Sequence, residues 1–306
     1  KGAPLFVALM VLASACGLWA GIGTLRSGAS AELTLLLPLL PGFRLDPLAA
    51  AFLLPVCLIP ALASLYGATY WSDAHEPRSA RRVRLFLGIL AGAMGTVVLA
   101  RDAIVLLYAW EIMALATFFL VVARDEDPEV RRAGWIYFVS THVGTLALLA
   151  LFALLRVRTG SHELTRLAAS ALDPATTTTV LVLALLGFGL KAGIVPLHVW
   201  LPGAHANAPS HVSAVLSGVL LKVGVYGLVR ILWMMPAVPR VWAAVLFGLG
   251  AVTCVFGIAL AAVQSDYKRL LAYSSIENIG VILLALGLFA LGLADGEPAL
   301  ATLGLA

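Results

Sequence analysis

Nine runs of roughly twenty apolar residues follow one another along this chain, and each is long enough to cross a bilayer as a helix. They fall near residues 5–25, 47–70, 83–100, 102–123, 134–155, 178–201, 211–232, 241–263 and 270–293. No soluble core hides that much apolar surface. Of the 306 residues, 61% are hydrophobic and only 12% charged, where soluble domains carry about 25% charge. The expected fold is therefore an all-α polytopic membrane protein, a single transmembrane domain over residues 1–306 with the lipid bilayer as its solvent. The first run is too long for a secretory signal and no cleavage pattern follows it.

The loops are short. The longest, 156–177, has room for a brief amphipathic helix around "SHELTRLAASAL". Lys and Arg divide almost evenly between the two sets of loops, with Arg230 counted among the loop cations, so the positive-inside rule gives no orientation. The net charge of +4 is scattered, which excludes a nucleic-acid surface. Cys16, Cys57 and Cys254 each lie inside an apolar run and read as buried small hydrophobes. No nucleotide loop, flavin motif, iron–sulfur cysteine set or nucleophile elbow occurs, so no cofactor and no catalytic redox residue is expected in this chain. Residue 1 is Lys and a last apolar run stops soon after it starts, so the chain reads as a fragment or a truncated form.

Ionisable groups inside the spans carry the functional signal, because a mid-membrane charge costs about 2.5–3.5 kcal/mol on insertion scales. Glu111 lies ten residues after Arg101 in "YAWEIMALATFFLVVA", about 15 Å deep at the helical rise. Its bland alternative is a protonated packing residue. Lys191 precedes a helix break marked by Gly193, Pro196 and Pro202. Proline lacks an N–H and frees a carbonyl, and transporters place such broken helices at ion sites. The competing reading is a lysine that snorkels to the interface. At 100° per residue His211, Gly218 and Lys222 share one stripe of their helix. His198, His205 and His211 stand seven and six residues apart, which matches no common metal-ligand pattern. They and His142 read as proton relays or as satisfied structural histidines. Glu277, beside Tyr273, Ser274 and Asn278, reads equally as proton-bearing or as helix glue.

Three stretches together carry a resemblance: "LLYAWEIMALATFFLV", "GFGLKAGIVPLHVWLPGAHANAPSHVSAVLSGVLLKVGVYGLVR" and "QSDYKRLLAYSSIENIG". In this order they resemble the antiporter-like subunits of respiratory complex I, multisubunit cation/proton antiporters and membrane-bound hydrogenases. The "SSIENIG" wording is most similar to the hydrogenase-4 and formate hydrogenlyase branch. The resemblance covers about residues 43–290. It implies two inverted five-helix repeats, the first complete at about 83–232 and the second begun at 241–306 without its own broken helix. It implies a Glu/Lys/His axis at the bilayer midplane, in which Glu111 and Lys191 face each other or share a water-bridged path and Lys222 is the central proton carrier. The function it implies is proton translocation as a non-catalytic subunit of an oxidoreductase, of the NADH-quinone or hydrogenase type. The alternative is a subunit of a cation/proton antiporter with no redox partner. Other membrane subunits, and protons or sodium, are the implied partners; the implied location is a prokaryotic inner membrane.

Overall fold

The computed structural model describes residues 2–37, 40–165, 167, 172–235 and 237–305. Among them, nine helices are long and apolar enough to cross a membrane. These are α1 (Gly2–Ser27), α2 (Pro47–Tyr70), α3 (Ala80–Leu99), α4 (Ala103–Val121), α5 (Pro128–Thr159), α6 (Pro174–Ala192), α8 (Ser210–Met234), α9 (Arg240–Ala262) and α10 (Tyr267–Asp295). Two short helices, α7 (Leu201–Asn207) and α11 (Pro298–Leu305), complete the helical set. The polytopic α-helical expectation holds.

Aspartates start several of the helices. Asp46 accepts from Ala49 N–H at 2.8 Å with Pro47 at the first helical position. Asp173 repeats the device before Pro174, accepting from Thr176 N–H at 2.9 Å. Asp102 accepts from the Ile104 and Val105 N–H groups at 2.8 and 3.0 Å, and Asp266 from Arg269 N–H at 2.7 Å. Each carboxylate satisfies an orphan donor and faces the positive end of the helix dipole.

Two features depart from the sequence reading. A small antiparallel hairpin, β1 (Ala31–Leu37) and β2 (Leu40–Leu45), stands between α1 and α2, where only a loop was expected. Its register sets Glu32 opposite Arg44, and the two form an ion pair at 2.8 Å. The brief helix expected around 161–172 is absent from the residues described there, 161–165, 167 and 172; the others lie outside the described residues. Glu163 instead forms a β-bridge with Asp102 and an ion pair at 2.9 Å with Arg101, so backbone pairing takes the place of helix.

The chain forms two compact units. The first holds Lys1–Thr145, His162–Leu164 and Asn207–Val223. Within it α1 lies along α2, where Gly17 leaves no room beside the Cys57 thiol. Phe86 of α3 stacks on Phe119 of α4, ring centroids 4.3 Å apart. The start of α5 packs on α4 through Gly134 against Val122, and through Phe138 edge-on to Phe118.

The second unit holds Leu146–Ser161, Thr165–Ala206 and Gly224–Ala306. Its spine is the antiparallel pair α9–α10, whose backbones nearly touch along glycines. Gly250 and Gly257 of α9, and Gly280 and Gly287 of α10, each lie where an added Cβ would meet the partner's backbone nitrogen at 2.3–2.5 Å. Small residues let membrane helices approach this closely. The last turns of α8 seat on α6 in the same way, Gly224 against the Ala192 backbone and Gly227 under the Phe188 ring.

Candidate functional site

In the first unit the site is built on α4, α5 and the start of α8. Glu111 projects from the middle of α4, a third of its side chain still exposed. Its Oε2 lies 3.4 Å from Nε2 of His142 on α5. Its Oε1 is buried without a hydrogen-bond partner among the described residues. The other ring nitrogen of His142, Nδ1, lies 2.8 Å from the carbonyl oxygen of Phe138, one turn back on α5. The Phe138 ring lies under the imidazole, centroids 4.1 Å apart. The same stretch of α5 is polar on one side: Thr141 donates to the Tyr137 and Phe138 carbonyls, and Thr145 to Thr141. Hydroxyls that bond back to their own helix are cheap to keep at membrane depth.

His211 begins α8, 4% exposed. Tyr70 meets its ring edge-on at 5.9 Å, Trp71 lies at 6.3 Å, and Gly67 of α2 fits directly beneath it. Gly218 also faces α2, against Ile59. Between His211 and Lys222, at Gly218 itself, the helix changes period. Leu216–Leu220 is a π turn, in which Leu221 N–H donates to Leu216 C=O. The uniform 100° step behind the expected His211–Gly218–Lys222 stripe therefore does not run through this segment. Such a widened turn loosens the hydrogen-bond ladder and is common at functional sites. Lys222 uses it: its Nζ donates to the Ser217 carbonyl at 2.7 Å.

In the second unit the break falls where the glycines and prolines mark it. Helix α6 ends at Ala192, and Gly193 caps it in the left-handed conformation at φ 81°. The chain re-enters helix at Leu201, so Pro196 lies in the non-helical stretch and Pro202 inside α7. Lys191, 1% exposed, is in the last turn of α6. Backbone groups released by the break find partners. Gly193 and Ile194 N–H both donate to Gly189 C=O, Val195 N–H donates to Thr253 Oγ1 at 3.2 Å, and the Trp200 indole donates to Leu190 C=O at 2.8 Å. This satisfaction is what irregular backbone at membrane depth requires.

His198 follows Pro196 and meets Phe256 edge-on at 5.3 Å. His205, in α7, is 1% exposed. Glu277 lies on α10 opposite Gly257, with Asn278 Nδ2 donating to it at 3.4 Å. Glu111 and Lys191 belong to different units, and the charge partner Glu111 has within its own unit is His142.

Sequence reasoning missed four contributors: Thr253, Trp200 and Ser217, which complete the break and the π turn, and Phe138, which orients His142. It also counted Arg230 with the loops. Arg230 lies inside α8 at 4% exposure, bonded to the Tyr226 hydroxyl one turn earlier and stacked toward Trp233. The Tyr226 spacing of four residues was the readable signal.

The family model described as "NADH:quinone oxidoreductase/Mrp antiporter, TM" matches residues 100–296. Hydrogenase-4 component B of Escherichia coli (strain K12) is 36% identical over 265 residues, which cover 86% of this chain and 39% of that protein. Formate hydrogenlyase subunit 3 of the same organism is 34% identical over 262 residues, 86% of this chain and 41% of that protein. The chain thus spans about two fifths of the length of these relatives. A chain of the membrane-bound sulfane sulfur reductase, an archaeal respiratory membrane complex, superposes with a TM-score of 0.83 at 24% identity. That match covers 99% of this chain and 64% of that one, and it establishes the shared fold. On the matched residues 100–296, which hold Glu111, Lys191 and Lys222, the chain belongs to the NADH:quinone oxidoreductase/Mrp antiporter transmembrane family.

Proposed function

We infer that this chain moves protons across the membrane as an antiporter-like subunit of a redox-driven complex of the hydrogenase or NADH-quinone oxidoreductase type. The observation that carries the reading is Lys222, mid-helix in an apolar span, with its ammonium held on the Ser217 carbonyl at a π turn. A cation kept on a locally loosened helix is a group that can gain and lose a proton as its surroundings change. Lys191 at the broken end of α6 and Glu111 on α4 supply two further proton-bearing groups.

The identity to hydrogenase-4 and formate hydrogenlyase subunits favours the redox-driven setting. Redox chemistry then belongs to other subunits, and the membrane is a prokaryotic inner membrane. The second reading, a cation/proton antiporter subunit, draws on the family's description, which includes the Mrp antiporters.

The test is proton uptake by the assembled complex in proteoliposomes, normalised to assembled protein. Lys222→Ala is expected to abolish uptake nearly completely while assembly persists. Lys222→Arg is expected to impair it as well, because a guanidinium stays protonated. Full uptake by Lys222→Ala overturns the reading. Uptake driven by a sodium gradient without any electron donor selects the antiporter alternative.

A further inference from the structure

We propose that Glu111 and His142 form one proton-holding couple, in which a single proton passes between Glu111 Oε2 and His142 Nε2. The proposal rests on the proton-translocation reading for its purpose and on local geometry for its existence.

The geometry fixes one end of the imidazole. A carbonyl oxygen only accepts, so the 2.8 Å contact to Phe138 C=O requires a proton on Nδ1. The Phe138 ring beneath the imidazole holds the rotamer that makes this bond. In the neutral ring Nε2 is then a bare lone pair, and it faces Glu111 Oε2 at 3.4 Å. Two acceptors with no proton between them repel, the more so when one is an anion in apolar surroundings. One added proton removes the conflict in either of its two positions. On Oε2, Glu111 is a neutral acid that donates to Nε2. On Nε2, an imidazolium faces a carboxylate.

The transfer step balances without any co-reactant. The Oε2–H bond breaks as the Nε2–H bond forms, neutral acid and neutral imidazole become carboxylate and imidazolium, and Nδ1–H stays on Phe138 throughout. The pair at 3.4 Å is looser than the roughly 2.6–3.2 Å at which protons transfer directly, so the side chains close by about half an ångström when they exchange it. Glu111 has room for this, since its Oε1 is tied to nothing among the described residues. The couple assigns His142, which its sequence left open between relay and structural roles, to the relay, and it makes Phe138 the positioning residue.

Nitrogen-15 NMR of histidine-labelled protein in lipid nanodiscs tests the couple directly. The six histidines are separated by comparing wild type with His142→Asn, and His142→Gln serves if that variant does not fold. In wild type the His142 Nδ1 signal is expected in the protonated, hydrogen-bonded position. In Glu111→Gln the Nε2 signal is expected to move while Nδ1 does not. An Nε2 signal unmoved by Glu111→Gln overturns the proposal, and so does a ring protonated on Nε2 with a bare Nδ1.

Proton uptake by the assembled complex gives the second arm. Each single substitution is expected to lower uptake by about a hundredfold or more, the scale of lost acid–base participation. The Glu111→Gln/His142→Asn double variant is expected to lose no more than the worse single. Losses that multiply overturn the couple. If wild type moves no protons, the functional reading fails, and the NMR arm still decides the couple.

Discussion

Gly257 and Glu277 meet backbone to backbone: a Cβ at position 257 would lie 2.5 Å from the Glu277 amide nitrogen and 2.8 Å from its Cα. Gly280 stands in the same relation to Cys254. The spacing of Gly250 to Gly257 and of Gly280 to Gly287 is seven residues in each helix, so one seam runs through the middle of α9–α10, from Phe247 beside Gly287 to Gly257 beside Glu277. A valine at 257 has nowhere to go unless the helices part. Gly257→Val is expected to destabilise the second unit by about 1–3 kcal/mol, as overpacking does. The midpoint of thermal unfolding in detergent checks it, and an unchanged midpoint would show that the helices do not touch here.

A different sensitivity belongs to the surface loops at one end of the first unit. The Arg84 guanidinium, bonded to both oxygens of Asp73 at 2.7 and 2.9 Å, holds that carboxyl below the usual carboxylate range. Arg82 does the same to Asp125 while also donating to the Val122 and Ala123 carbonyls at the end of α4. A carboxylate with a depressed folded value adds stability that is present above its unfolded value, about 3.9, and is lost as pH falls through the folded one. Limited proteolysis within 71–79 and 122–127 is therefore expected to rise as pH drops below about 4. The Asp73→Asn/Asp125→Asn variant should be cut more readily at neutral pH and show little further change on acidification. Equal cutting of variant and wild type at neutral pH would remove these pairs from the account.

Much of this was legible in the sequence, for reasons that differ from element to element. The spans were legible because lipid leaves hydropathy as the dominant signal. The end of α6 was legible because Gly193 and Pro196 change backbone options locally. The π turn at 216–220 was not, since "LSGVL" carries no composition that separates a five-residue turn from an α turn. The pairing of Glu111 with His142 was beyond reach for another reason. It joins two helices, and each residue alone fits several partners. The α9–α10 seam shows in the sequence only as a seven-residue glycine spacing in each helix, which by itself does not say which helix lies opposite.

His211 owes its place to a missing methyl group. A Cβ at Gly67 would lie 2.8 Å from the imidazole Cδ2 and 3.0 Å from Nε2, and the rings of Tyr70 and Trp71, at the same end of α2, lie 5.9 and 6.3 Å from that imidazole. Gly67→Ala is expected to destabilise by about 1–3 kcal/mol. The cost should largely vanish in a His211→Ala background, since residues in contact couple. A double-variant cycle on unfolding midpoints reads this. Additive costs would mean that the two residues do not touch.

Gly193 offers the sharpest probe of the break. Its φ of 81° is a left-handed conformation that costs an L-residue with a Cβ about 1–2 kcal/mol. Space adds to the strain, because that Cβ would lie 2.6 Å from Leu201 Cδ1, the first residue of α7. Gly160 supplies the comparison: φ is 74° there, and the nearest atom to an added Cβ is Arg156 Nη1 at 3.7 Å. Both alanine variants share the backbone cost, and only Gly193→Ala carries the clash. Gly193→Ala is thus expected to be the more destabilised of the two. It is also expected to lower proton uptake per assembled complex, since Lys191 lies two residues earlier in the turn that must shift. Gly160→Ala should leave uptake close to wild type. Equal stabilities would remove the Leu201 contact from the argument, and equal uptake would separate the geometry of the break from transport.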